Sequence, residues 1–365
     1  MKITHIQAQV IRLPVEEPLA GGPPFQGPFR EFVTLQVGTD AGLEGVGVTF
    51  FGAALTGTLR LAVEQLGALT IGEDPLRVEA IGQKLRDAAE SSAGPGGIFT
   101  LAFAAIDMAL WDIKGKALNQ PLAALLGGLR DRVPAYASGA LMRTYPLEHI
   151  VKAAPMLVEK GFRQMKMQLA LPGDTSPAIE VDRAHRVRAA IGHDIDLMCD
   201  INQRWSVHQA IDIGCRLEDV HFYWWEDVTA HDDYPGIARV ADALATPVAG
   251  GEYVYGIAPF RHMLEARSVD IVMIDLLRVG GIANWMKVAG MAQAFNLPVV
   301  SHLFPEIHVH LVAAAPNGLT VEYMPWSLKL FEEVPVLANG QIQVPTRPGL
   351  GLKFDRDVIK RYAAA

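Results

Sequence analysis

The sequence predicts an α/β fold in which eight short parallel strands close into a barrel behind a smaller N-terminal α+β region. Three observations carry this. Beyond about residue 132, short apolar runs rich in β-branched and aromatic residues alternate with helix-like stretches. The runs are continuously apolar rather than alternating, as expected of parallel strands covered on both faces. There are eight of them, and seven are followed at once by room for a helix.

The chain has 365 residues, enough for a barrel plus a smaller domain. Half of the residues are apolar and a fifth are charged, the mark of a packed globular protein. The net charge of −8 argues against a nucleic-acid or anionic-membrane partner. It leaves a small anionic substrate open, because a bound cation inverts the local field. Cys199 and Cys215 are too few for a disulfide framework or a zinc site, and both are expected to be buried thiols. The N-terminus alternates like a strand and lacks a long apolar segment, so no signal peptide is expected. No run reaches the roughly 18 apolar residues a membrane span needs. The expected compartment is the cytoplasm.

In chain order, residues 1–50 read as β. The runs FVTLQVG and LEGVGVTF flank a hairpin turn at Thr39-Asp40-Ala41-Gly42. Before them a loop over residues 14–30 holds five prolines and three glycines and reads as a lid. Residues 54–117 have helical spacing, clearest in FTLAFAAIDMALWDIKGKAL, which is apolar nearly all round and so mostly buried. The eight barrel runs cover residues 133–138, 162–169, 196–201, 222–227, 246–252, 270–275, 297–302 and 319–324. The segment QIQVPTRPGLGLKF reads as a strand and turns that leave the barrel.

Lys166, Asp200, Glu226, Glu252, Asp275, His302 and Glu322 each fall near the C-terminal end of an apolar run. The steps between them are 34, 26, 26, 23, 27 and 20 residues, about one strand–helix unit each. A parallel barrel gathers all strand C-termini at one face, so these groups converge on one pocket. A lone carboxylate at a strand end is usually a helix cap or a solvated loop residue. Asp200, Glu226 and Glu252, from three successive strands, repel one another unless a cation sits among them. All-oxygen ligation selects a hard ion, magnesium above others. Asp275 and His302, on consecutive later strands, suit a pair in which a carboxylate fixes the tautomer of an imidazole. His308 and His310, two residues apart in a helical stretch, do not share a helix face and are not read as ligands.

At these residues the sequence resembles the mandelate racemase subgroup of the enolase superfamily. The likeness runs through AAIDMALWDIKGKALNQPLAALLGG (104–128), LMCDINQRW (197–205), WWED (224–227), GGE (250–252), DLLRVGG (275–281), SHLFPEIHVHL (301–311) and VEYMPW (321–326). It implies a modified (β/α)7β TIM-like barrel over residues 126–340. An N-terminal α+β capping domain would occupy residues 1–125, with a capping loop at 14–31, and residues 341–365 would return to it. A second loop near Phe50 and Phe51 would help shape specificity. The resemblance makes Asp200, Glu226 and Glu252 the Mg2+ ligands, Asp275 and His302 the catalytic dyad, and Glu322 the acid that hydrogen-bonds a substrate carboxylate. It places Asn202 near the substrate and implies a symmetric homo-oligomer.

The chain departs from the family pattern twice. Glu226-Asp227-Val228 lacks the usual proline. The second-strand Lys-x-Lys is here Lys166-Met167-Gln168, and glutamine cannot titrate. Two-base racemisation needs a competent group on each face of the intermediate, whereas dehydration needs one. The expectation is therefore a Mg2+-dependent hydro-lyase acting on a small carboxylate. It would dehydrate an aldonate or aldarate to a 2-keto-3-deoxy acid, with His302 as base, Lys166 as fixed charge and Glu322 as a neutral donor. Gln168 and Arg30 are further candidates for substrate contact. The alternatives are an epimerase or racemase, a lactone cycloisomerase, and an inert barrel paralogue with a binding role.

Overall fold

The computed structural model describes residues 1–22, 27–50, 52, 54–173 and 176–364. Three antiparallel strands, β1 (Ile3–Pro14), β2 (Phe29–Thr39) and β3 (Glu44–Thr49), form a sheet with β2 in the middle. The predicted hairpin is present: Thr39 N–H donates to the Leu43 carbonyl at 3.0 Å, and Gly42 takes φ 74°. Helices α1 (Thr56–Ala68), α2 (Val78–Ala93) and α3 (Gly97–Ala117) follow. α3 is buried along most of its length and packs on the sheet. It comes so close that a Cβ on Gly45 or Gly47 would stand 2.2 or 2.1 Å from the carbonyl oxygen of Ala109 or Ala105. These strand glycines are what the close helix–sheet approach requires.

The lid differs in extent from the sequence reading. Pro14 and Arg30 lie on strands, with Pro14 paired to Phe29, and Val15 N–H donates to the Pro28 carbonyl at 3.0 Å to close the base of the loop. A terminal proline gives up a donor but still fits a strand end, so the proline-rich composition hid two paired positions. Residues 23–26 of the loop, and Phe51 of the second one, lie outside the described residues.

After the short helix α4 (Leu122–Leu125) come the eight barrel strands: β4 (Arg132–Leu141), β5 (Gln164–Gln168), β6 (Asp196–Asp200), β7 (Trp225–Glu226), β8 (Val248–Gly250), β9 (Ile271–Asp275), β10 (Val299–His302) and β11 (Val321–Tyr323). Each pairs in parallel with the next from β4 to β10, and β11 pairs in parallel with β4. Closure comes from Val299, whose N–H and carbonyl bond Asn317 and Leu319 just ahead of β11, both at 2.9 Å. The seven connecting helices are α5 (Leu147–Glu159), α6 (Pro177–Ile191), α7 (Val207–Arg216), α8 (Tyr234–Ala243), α9 (Ala258–Glu265), α10 (Ile282–Ala294) and α11 (Pro305–Ala314). Strand β12 (Leu337–Ala338) leads to β13 (Gln341–Gln343), which runs antiparallel against the start of β4, and α12 (Arg356–Tyr362) closes the chain.

The barrel interior is layered. Tyr136, Met198, Trp224, Met273 and Val300 form an apolar plug. Side chains two residues apart on a strand share a face. The residues two positions beyond four of these plug residues, Asp200, Glu226, Asp275 and His302, therefore stand above them on the inner face. Cys199 is buried as expected, but Cys215 is exposed. On α7 the buried positions are Ala210, Ile213 and Gly214, and the next residue turns to solvent.

Candidate metal and acid–base centre

The strand-end side chains meet at the C-terminal mouth of the barrel. Asp200, Glu226 and Asp227 each offer a carboxylate oxygen within 4.8 Å of the others, and all three are buried. Asp227 was not expected. In a straight strand it would point away from Glu226, but its φ of 47° ends β7 and turns the side chain back. Its Oδ2 is buried without a hydrogen-bond partner. Glu252, the next strand-end acid, turns Oε2 toward His302 Nε2 at 3.4 Å.

Neighbouring groups hold the carboxylates in place. Gln168 Nε2 donates to Asp200 Oδ2 and to Asn202 Oδ1, both at 3.0 Å, and Asn202 N–H donates to Asp200 Oδ1 at 2.7 Å. Trp224 Nε1 donates to Glu226 Oε2 at 2.9 Å from the plug below. Lys166 pairs with Glu226 and, at 2.9 Å, with Glu322. Burial opposes its charge, yet Glu226 and Glu322 outweigh burial and raise its pKa well above the usual lysine value.

Burial raises Glu226 to about 7, with Asp200 and Glu322 adding repulsion that Lys166 only partly offsets. Burial and like charge likewise push Glu252 and Asp227 far up. Crowded, buried, oxygen-only donors with an unpartnered oxygen fit a hard divalent cation, whose charge would relieve both desolvation and repulsion.

The dyad is formed. His302 Nδ1 stands 2.6 Å from Asp275 Oδ2, while Asp275 Oδ1 accepts from Leu277 and Arg278 N–H at 2.9 and 2.6 Å. Burial alone would raise Asp275, but Arg278 and His302 bring it down to about 2. Burial disfavours the charged form of His302, yet Glu252 and then Asp275 overcome this and lift it to about 9. Glu322 shifts the other way. It accepts from Leu303 N–H at 2.6 Å and pairs with Lys166, and Lys166 foremost overcomes burial to lower it to about 2.

Arg30 stands apart from this cluster. It stacks on Trp326, 3.6 Å from the ring centroid, in a cavity lined by Pro14, Leu19 and Lys329. Two unexpected residues join the site. Arg143 Nη2 donates to Asn202 Oδ1 at 2.7 Å and to the Asp200 carbonyl at 3.1 Å, and Tyr253 OH lies 3.4 Å from Asn202 Nδ2. Arg143 follows the first barrel strand by two residues, so the strand-end rule applied to that strand would have found it. His308 and His310 are buried in α11 and bonded to backbone.

Residues 28–127 match the mandelate racemase / muconate lactonizing enzyme N-terminal domain, and residues 149–358 match the enolase C-terminal domain-like family. The chain is 31% identical over 356 residues to the L-talarate/galactarate dehydratase of Salmonella typhimurium, spanning 96% of this chain and 88% of the relative. It is 31% identical over 337 residues to the 3,6-anhydro-alpha-L-galactonate cycloisomerase of Streptomyces coelicolor, covering 91% of each. Its fold is similar to that of L-talarate dehydratase from Polaromonas sp. JS666 complexed with Mg and L-glucarate, with a TM-score of 0.90, 31% identity, and coverage of 100% of this chain and 98% of that one. The chain belongs to the mandelate racemase / muconate lactonizing enzyme family of the enolase superfamily.

Proposed function

We propose that this protein is a magnesium-dependent hydro-lyase that dehydrates a sugar acid, an aldonate or aldarate, to a 2-keto-3-deoxy acid. The observation that carries the reading is one oriented base beside a buried carboxylate cluster. His302 is held by Asp275 and faces Glu252. Gln168, the inward polar group at the end of β5, cannot titrate. The dehydratase relative supports the same reaction class.

Asp200, Glu226 and Glu252 would hold the magnesium, with Asp227 beside them, and the bound ion supplies positive charge that stabilises an enediolate. Lys166 adds a second fixed charge, kept ionised by Glu226 and Glu322. His302 removes the α-proton through Nε2, because Nδ1 is committed to Asp275. The same nitrogen then protonates the departing β-hydroxyl. Water leaves, and the enol tautomerises to the ketone. Asn202 and Gln168 present amide groups to the substrate from the β5–β6 wall, and Arg30 serves at a distance, from the base of the capping loop.

The test is incubation with magnesium and a library of acid sugars in deuterium oxide. Exchange of the α-proton together with a semicarbazide-positive product is expected. His302→Asn should abolish both and leave magnesium binding intact. A substrate that epimerises without forming a ketone would assign an epimerase instead. A symmetric homo-oligomer is part of the same proposal and is checked by light scattering. So is a cytoplasmic location, which the free thiols of Cys199 and Cys215 support. Among the described residues, no helix is long and apolar enough to cross a membrane.

A further inference from the structure

A cavity of about 400 Å³ adjoins the dyad and includes Asp275 in its wall. That volume lies within the roughly 300–1,000 Å³ usual for small-molecule sites. Phe50, Leu101, Tyr253 and Tyr255 give it apolar and aromatic walls. Its charged groups are matched. Arg278 lies 3.6 Å from Asp275 Oδ2, donates to the Glu252 carbonyl at 3.0 Å and stacks over Tyr253 at 4.9 Å.

The cavity's other basic side chain is His231. Gln203 Oε1 accepts from both the His231 backbone N–H at 2.9 Å and ring Nδ1 at 2.8 Å, so Nδ1 carries the proton. In the neutral ring Nε2 is an acceptor, suited to a hydroxyl. Gln203 is itself fixed, at φ 65° with its N–H donating to the Asp227 carbonyl at 2.7 Å. The sequence of the two capping segments brings no cation: residues 15–28 contain Glu16 and Glu17 but no basic residue, and residues 50–54 are uncharged. Arg30 and Lys329 line a separate cavity that shares no residue with this one.

Resting on the dehydratase reading, we infer that this cavity receives the uncharged polyol end of a monocarboxylic sugar acid, with His231 accepting a hydroxyl, and that the enzyme discriminates against diacids. A second carboxylate placed here would be desolvated between aromatic walls and beside Asp275, with no permanently charged, unmatched cation to meet it among the described residues.

The experiment compares matched acids that differ only at the distal carbon, gluconate with glucarate and galactonate with galactarate, using the magnesium-supplemented full chain. The monoacid should be favoured in kcat/KM by roughly tenfold or more. An equal or faster diacid overturns the inference and leaves the dehydratase reading intact. In His231→Lys, which brings a cation to the wall, the ratio of monoacid to diacid should fall by about tenfold. This ratio is internal to one preparation and insensitive to the fraction folded. An unchanged ratio overturns the placement of the distal end in this cavity. Absence of exchange with every acid, in protein that binds magnesium, overturns the dehydratase reading and this inference with it.

Discussion

His302 Nδ1 and Asp275 Oδ2 lie 2.6 Å apart on adjacent strands β10 and β9, in register as direct neighbours. The contact fixes which imidazole nitrogen is free. Asparagine at 275 could still accept the Leu277 and Arg278 N–H bonds through one oxygen, so the local turn should survive. It would lose the negative charge that stabilises the imidazolium. Asp275→Asn is expected to cut kcat by on the order of 10³-fold or more while leaving magnesium affinity near wild type. A variant that keeps more than a tenth of the activity would contradict the dyad.

Metal binding should be visible at both the acids and the base. Without a cation, His302 is held near pKa 9, burial being outweighed by Glu252 and Asp275. A cation that engages Glu252 removes its pull on the proton. Added magnesium should therefore move the His302 titration, followed by NMR, toward lower pH, and chelation should reverse the change. Glu226→Gln and Asp227→Asn should each weaken magnesium binding measured by calorimetry, because each removes a buried charge from the cluster. Unchanged affinity in Glu226→Gln would refute the ligand set, and unchanged affinity in Asp227→Asn would leave Asp227 outside it.

How far the site was legible follows from strand geometry. Asp200, Glu226, Glu252, Asp275, His302 and Glu322 could be found because one strand–helix unit recurs every 20 to 34 residues, and parallel strands share one functional end. All eight barrel strands stand where the apolar runs place them, although β7 is only Trp225–Glu226 and β8 only Val248–Gly250. What escaped depended on local backbone or long-range contact. Asp227 joins the cluster through a left-handed φ that no periodicity encodes. The pKa shifts of Glu322 and His302 run against burial because of neighbours distant in sequence, Lys166 for one and Glu252 for the other. Arg30 looked like a loop residue because β1–β2 pairing extends past a proline.

Asp112 ties three parts of the chain together from α3. Its Oδ2 accepts from Val46 N–H on β3 at 3.0 Å and pairs with Lys116 at 2.7 Å, while Oδ1 accepts from Leu350 N–H at 2.8 Å. Asp112→Ala would leave two buried N–H groups without partners. The expected loss is on the order of 3 kcal/mol or more, read as a lowered urea midpoint. Asp112→Asn, which keeps one acceptor, should lie in between. A midpoint within error of wild type for the alanine variant would show that these bonds contribute little.

His310 provides a test of pH dependence. Its Nδ1 accepts from Ala123 N–H at 3.2 Å, so Nε2 carries the proton and donates to the Leu350 carbonyl at 3.1 Å. Burial lowers its pKa to about 4. Between that value and the unfolded value near 6.5, the unfolded chain binds more protons than the folded one. The histidine's contribution to stability is therefore fully present above pH 6.5 and declines by up to about 1.4 kcal/mol per pH unit as pH falls toward 4. Glu306 and Asp107, raised by burial to about 7, act in the opposite direction. The wild-type curve alone therefore cannot isolate the effect, and the difference from His310→Gln can. The variant should be less stable at pH 7, and its deficit should shrink by about 2 kcal/mol at pH 5. A deficit of constant size across that range would mean that His310 is not held neutral by the fold.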